Sequence, residues 1–492
     1  MGQTCAAGRG LSRRAGAGHH CSPVRFQIPP AVSSWLYIFA WVGVLADQLG
    51  GIRIAGDAAG LATMLFLLIE FPRQRRYAQA LFLTLLGVGL VGVALSAHPW
   101  PLFIAACRRA GGYAAFFLAL GLLRDAAETS RLVRRCGEHL VAQPPGRRYL
   151  ALAGGGMLFG VILSYGVIDL FGAMVARANT LAAAGGSAQI QAFRARRMMM
   201  AVFRGFALMN CWNPLGIMTG VVFTAFPAAP MRALLPIGLL AAFGMYGLGW
   251  LEDRMTSAGF ATAGATRPAT VERWTVHLRI FALVVGVTVA SELATVVFGV
   301  QLVTGVTVVV PIVGVVWMAV QTWRFGPPAM MGVLRRRLQR FRVRVPSFRG
   351  EATVLGASGF MAVALGGALP PEGFGPVAAF LPAVVVPMLV PLILVVTGQL
   401  GFSPIAIVAL IGAAVPDPGA LGLAPAVLAF GCMMGWGVGI GMTALSASAI
   451  TTARWAGADP WTVTAVWNTR YTILVLMLAW AAILAMYFLW PA

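Results

Sequence analysis

The chain contains no lysine: all 36 of its basic residues are arginine. That excludes a phosphate-binding P-loop lysine, a Schiff-base lysine and a lysine general base. Acidic residues are also scarce, 15 in 492, and charged residues make up only 10% of the chain, against roughly 25% in soluble domains. The six cysteines, Cys5, Cys21, Cys107, Cys136, Cys211 and Cys432, are scattered with no CxxC, so neither a disulfide framework nor a zinc ribbon is expected. Cys136 with His139, or the "HHC" at 19–21, could begin a metal site, but neither has further ligand types nearby, and ordinary loop residues are the simpler reading. HExxH, GxSxG and Walker sequences are all missing, which removes the common hydrolase and nucleotide motifs. Long loops between the apolar runs, where a membrane glycosyltransferase would keep its acids and bases, are scarce as well.

What fills the chain is apolar. Hydrophobic residues reach 59% and the mean hydropathy is +0.83. Windows of roughly 17–25 apolar residues mark membrane spans. They fall at 30–48, 55–72, 78–97, 101–123, 149–171, 232–250, 275–299, 300–323, 351–369, 376–398, 420–450 and 465–490, with irregular apolar pieces at 198–226 and 403–416. The expected fold class is therefore an all-α polytopic membrane protein with about 10–13 crossings. The net charge of +21 would suit nucleic acid, but the arginines gather in short loops between spans, which is the positive-inside pattern. Nucleic acid is not an expected partner.

Those loops organise the chain. Residues 1–28 are polar, Gly- and Arg-rich and lack an apolar core, so they read as a disordered cytoplasmic tail rather than a signal peptide. A four-helix block follows over 29–123. Basic loops at 124–148 and 324–349 are both expected to be cytoplasmic. Between and after them lie 149–323, a first repeat with connecting helices, and 350–492, a second repeat with a C-terminal helix. The repeat is carried by prolines: 213–240 lies over 403–428, with Pro214 on Pro404, Ile217 on Ile407, Pro227 on Pro416 and Pro236 on Pro425. The leading helices 149–166 and 351–368 fall at a similar offset.

In each copy a small polar residue, Asn213 or Ser403, precedes a proline, Pro214 or Pro404. That pattern reads as an N-cap with proline at the first helical position. The apolar run that follows covers less than about 20 Å of helix, against a hydrocarbon core of about 30 Å. Short, proline-interrupted segments at matching positions of two repeats point to discontinuous or re-entrant helices around a central site; a proline kink between packed helices is the simpler alternative. Here the sequence resembles the ion transporter superfamily. The stretch "LGFSPIAIVALIGAAVPDPGALGLAP" (400–425) is most similar to large subunits of tripartite dicarboxylate transporters and related anion permeases, over about 150–440 of the chain. The Ser-Asn-Thr tip signature of the sodium/dicarboxylate branch is absent. The resemblance implies inverted repeats, whereas the basic loops lead both units from one side and imply parallel ones; an extra crossing within 172–230 would reconcile them.

The candidate substrate-binding residues are Asn210, Asn213, Pro214, Ser403 and Pro404, with Thr443, Ser446 and Ser448 in the Gly- and hydroxyl-rich stretch 435–454. That stretch is either a close-packed helix interface or an unwound segment facing solute. Ionisable groups inside apolar runs are functional candidates: Glu292, mid-run, for proton coupling, and Asp169, with Glu372 as its rough counterpart in a Pro/Gly turn. Glu292 could instead pair with an arginine of another helix, and Asp169 could be interfacial. Arg204 either supplies charge to an anion or snorkels toward the level of Arg197; Arg470 is similarly ambiguous. The expectation is a permease for a small anionic solute in a bacterial inner membrane, N-terminus inside, with H+ or Na+ as coupling ion and no other cofactor. Membrane lipids, a solute-binding protein or small membrane subunit, and a second copy are the expected partners. The alternative is a membrane enzyme or export component acting on lipid-linked glycans.

Overall fold

A computed structural model describes residues 29–257, 274–368 and 380–490. Glu372 and the tail 1–28 lie outside the described residues. The regular secondary structure of the described residues is all helical, and eight helices are long and apolar enough to cross a bilayer. In chain order the elements are α1 (Pro30–Gly50), α2 (Arg53–Glu70), α3 (Arg76–Leu95), α4 (Pro99–Glu128), α5 (Arg131–Val141), α6 (Pro145–Leu163), α7 (Gly166–Ala178), α8 (Ala188–Met209), α9 (Ile217–Ala225), α10 (Met231–Ser257), α11 (Thr275–Phe298), α12 (Leu302–Thr322), α13 (Pro327–Arg344), α14 (Arg349–Gly366), α15 (Val385–Gln399), α16 (Pro404–Ala414), α17 (Pro425–Ile440), α18 (Ala447–Ala456) and α19 (Thr469–Leu489). Proline opens α1, α4, α6, α13, α16 and α17, where its missing N–H costs nothing and its fixed φ favours the first turn.

Both basic loops are largely helical, as α5 and α13, and they share one end of the molecule. Arg344 of α13 pairs with Asp125 and Glu128 at the end of α4, at 2.7 and 3.3 Å, and Arg337 donates to Thr129. This places the start of α14, five residues on, beside the end of α4. At the opposite end, Gly367 packs against Leu102 at the start of α4. α4 and α14 therefore run antiparallel through the middle of the fold, in close contact along their length.

The same exchange governs three further pairs of contacts. α4 packs on α12 as α14 packs on α3; α6 packs on α8 as α15 packs on α17; α9 packs on α16 as α18 packs on α7. The two units are α3–α10 without the amphipathic α5, and α12–α19 without α13, and they are inverted. Hairpin α6–α7 leads from the end that carries α5 and α13. Hairpin α15–α16 leads from the other end, where Gly366 at the close of α14 meets Ala413 at the close of α16.

The sequence register was therefore displaced. The first unit begins at α4 and its predecessor rather than at 149, and the counterpart of 210–216 is 441–446, not 403–404. Prolines misled the alignment because they punctuate any short helix. Pro404 opens the second arm of a hairpin, whereas Pro214 lies inside a break between two helical halves.

Candidate functional site

Each unit places a hairpin tip beside a broken helix. In the first, α6 ends at Ser164, whose φ of 52° is the one positive value outside glycine among the described residues. The left-handed turn folds the chain back into α7, with Ser164 N–H donating to the Gly160 carbonyl at 2.7 Å. Tyr165 at the tip donates to Glu351 of α14 at 2.6 Å, and the Arg124 guanidinium lies 4.5 Å from its ring centroid. A Cβ at Gly166 would stand 3.1 Å from the Arg124 side chain, so the guanidinium lies close against the tip.

The break opposite this tip is Asn210–Gly216 (210–216), between α8 and α9. The Asn210 amide donates back to the Phe206 and Ala207 carbonyls, at 3.0 and 3.4 Å. The Asn213 oxygen accepts from Leu215 N–H at 2.9 Å, an Asx-type turn, and the Asn213 carbonyl accepts from Thr219. No hydrogen bond engages the Asn213 amide among the described residues. α9 starts at Ile217 with Gly216 as its N-cap and no capping side chain, so its first N–H groups lack helical partners. A largely enclosed cavity of about 50 Å³ lies here, lined by Arg124, Ser164, Asn210, Asn213, Gly216 and Ile217. Donors and one guanidinium dominate its polar lining, a set that suits an anionic group. Arg124 is also paired with Glu128 at 3.0 Å, which holds its guanidinium in place.

In the second unit, α15 ends in a turn through Gly401, with φ of 90°, to Ser403. Ser403 caps α16 by accepting from Ile405 N–H at 3.3 Å, with Pro404 in the first turn, as the sequence indicates. Tyr77 of α3 donates to the Gly401 carbonyl. The facing break, 441–446, is unwound. Thr443 donates to the Gly439 carbonyl at 2.8 Å. Ser446 caps α18 by accepting from Ala449 N–H at 3.1 Å, and it contacts Ser448 at 3.0 Å. Gln399 donates to the Met442 carbonyl, and a Cβ at Gly398 would strike the Thr443 hydroxyl at 2.4 Å. The glycines of 435–441 serve close packing, Gly435 and Gly439 against α15 and Gly437 against Cys211, while the hydroxyls lie at and beyond the break. The close-packing reading of 435–454 thus applies to its glycine-rich part, and the chain is unwound over 441–446.

Arg204 is neither snorkelling nor free. It is buried, pairs with Glu252 of α10 at 2.7 Å, donates to Asn468 at 2.8 Å and lies 4.3 Å from the Tyr471 ring centroid. Asn468 in turn donates to the Gly441 carbonyl at 2.8 Å. The chain Glu252–Arg204–Asn468–Gly441 ties α8 of the first broken helix to the break of the second. Sequence reasoning missed Asn468 and Glu252. Both sit in ordinary polar contexts near helix ends, and only the crossing of α8, α10 and α19 brings them together.

Both acidic candidates are engaged in ion pairs. Glu292 of α11 pairs with Arg232 at the start of α10, beside a large apolar cavity that Trp212 and Pro214 also line. Asp169 of α7 pairs with Arg454 and accepts from the Trp455 indole of α18 at 2.9 Å. Asn210 and Asn213 share the small cavity of the first unit; Ser403, Thr443, Ser446 and Ser448 belong to the second. None of the cavities described here brings Pro214 and Pro404 together. His139 faces His277 with ring nitrogens 2.9 Å apart, and among the described residues no three His, Cys, Asp or Glu side chains are grouped so that they could hold a metal ion.

No protein-family model matches this sequence, and no curated protein matches it. Among solved structures, the fold is similar to that of the Alcanivorax borkumensis YdaH transporter, whose topology is described as unusual, with a TM-score of 0.58, 17% identity, and coverage of 84% of this chain and 98% of that one. This all-helical membrane chain thus shares the fold of that structure over 84% of its length, and the similarity does not point to the dicarboxylate large subunits in particular.

Proposed function

We propose that the chain is a secondary transporter that moves a small anionic solute by alternating access, with its anion-binding half-site at the first break. The observation that carries the anion assignment is the small cavity where the uncapped start of α9, the unengaged Asn213 amide and Arg124 converge. Backbone N–H groups and the positive end of a helix favour negative charge there. At about 50 Å³ the cavity admits a carboxylate-sized group and no whole metabolite, so the rest of the solute extends toward the second unit, where hydroxyls and carbonyls of 443–448 supply acceptors and donors. Breaks of this kind are placed where freed backbone groups meet protein or solute rather than lipid.

An H+ or Na+ gradient drives the movement in this reading. A solute-binding subunit and a second copy of the chain remain compatible partners. The test is reconstitution of the purified chain in proteoliposomes and counterflow of radiolabelled small carboxylates, chosen by thermal-shift screening of a panel of anions. Accumulation of at least one carboxylate above empty vesicles is the expected result. If only neutral or cationic solutes accumulate, the anion assignment fails.

A further inference from the structure

The basic segment 324–349 contains a feature independent of the transport reading. α13 carries Arg335, Arg336, Arg337, Arg340, Arg342 and Arg344 and no acidic residue. Two of these are committed: Arg344 to Asp125 and Glu128, and Arg337 to Thr129 and Gln321. Arg335, Arg336 and Arg340 form no ion pair among the described residues, and Arg342 contacts only the Trp35 ring, at 5.2 Å. No residue of α13 is buried. Between it and α1, α4 and α12 runs a slot of about 540 Å³ with an almost wholly apolar lining, including Trp35, Leu118, Leu122, Pro311 and Leu338, with Arg335 and Arg342 of α13 also on its wall.

The dimensions identify the occupant. Pro311 lies 11 residues inside the end of α12 at Thr322, about 16 Å at 1.5 Å per residue. That is about the depth of one leaflet of a 30 Å hydrocarbon core. An apolar slot of about that depth, with guanidiniums of the basic helix α13 that form no ion pair on its wall, matches a phospholipid: acyl chain inside, phosphate outside. A net anionic headgroup is favoured, because the cluster offers positive charge without acids to hold a headgroup ammonium, and juxtamembrane arginines attract anionic lipids. The chain's own tail is a poor alternative occupant, since 1–28 holds Arg9, Arg13, Arg14 and Arg25 and no acid and would bring like charge.

We propose that the slot between α13 and α1, α4 and α12 is a binding site for an anionic phospholipid of the leaflet on that face, its phosphate held by Arg335 and Arg342. The probe is phosphatidylglycerol against phosphatidylcholine, added to the detergent-purified full chain and read by native mass spectrometry. A phosphatidylglycerol adduct should dominate, and Arg335→Gln with Arg342→Gln should weaken its retention about tenfold or more. Leu338→Trp, which narrows the slot and leaves every arginine in place, should also reduce retention; a purely electrostatic surface would not respond to it. The lipid-free melting temperature reports whether the variants fold, and Arg335→Gln alone, at an exposed position, provides the readout if the double variant does not. Equal retention of both lipids, or adducts insensitive to Leu338→Trp, would overturn the proposal. So would an equal thermal shift from inorganic phosphate alone, which would mark a free-anion site, or a lipid-free dimer disrupted by the same variants, which would show a second copy covering this face.

Discussion

At the residue scale the decisive groups are Asn213 and Arg204, and they make opposite predictions. Asn213 uses its oxygen for the local turn and keeps its amide for the cavity. Replacing it by alanine removes a turn bond, a modest structural cost of about 0.5–2 kcal/mol by analogy with caps, along with the proposed solute contact. Asn213→Ala should weaken affinity for the transported anion about tenfold or more, at least about 1.4 kcal/mol, with little change in melting temperature; normal affinity would remove this residue from the site. Ser403→Ala should cost only its cap, because the Ser403 hydroxyl is spent on Ile405 N–H. Arg204 is the structural counterpart. Arg204→Met leaves half-buried Glu252 and buried Asn468 without their partner, and breaking a buried pair costs about 3–5 kcal/mol. Thermal unfolding in detergent should show a large drop, and Arg204→Met combined with Glu252→Met should recover part of it.

At the element scale, two helix contacts join the hairpins to the broken helices, and both depend on an absent side chain. A Cβ at Gly172 of α7 would lie 2.3 Å from the Trp455 ring of α18, and one at Gly412 of α16 would lie 2.6 Å from the Ala225 side chain of α9. Valine at either position must push the helices apart, at about 1–3 kcal/mol for overpacking. In the transport reading, each hairpin must stay locked to the opposite unit's half-helix for the breaks to remain aligned. Gly172→Val and Gly412→Val should therefore both reduce counterflow in proteoliposomes with the protein still inserted. Full activity in either variant would show that contact to be packing alone. The Asp169–Arg454 pair flanks the first contact but is largely exposed, so Asp169→Asn is expected to change stability by about 1 kcal/mol or less.

At the scale of the whole molecule, the inversion itself is testable. The four described cysteines are buried, so with Cys5 and Cys21 replaced, single introduced cysteines report on topology. If the arginine-rich face is cytoplasmic, cysteines at Thr129, Gly185 and Ser347 should resist an impermeant reagent in intact cells. Those at Ala97 and Gly419, at the far end and after hairpin α15–α16, should label. Labelling of Gly185 and Gly419 from the same side would contradict inverted hairpins.

The sequence alone determined the membrane class, the all-helical fold and the existence of breaks. Hydropathy, the shortage of charge and helix-starting residues act within one segment and its solvent, so they are visible in one dimension. The Ser403–Pro404 helix start and the basic segments were legible for the same reason. Chain inversion was not, because it depends on how many times the chain crosses between two loops, and the hairpins α6–α7 and α15–α16 carry span-like apolar residues without crossing. Nor were the pairing of 210–216 with 441–446, the partners of Glu292 and Asp169, or the Arg204 network. Those arise where helices more than forty residues apart in sequence cross, and a buried charge takes whichever partner the crossing brings within about 3 Å. Local chemistry wrote the elements; tertiary packing decided which of their polar groups are satisfied by each other and which are left open at the small cavity beside Asn213.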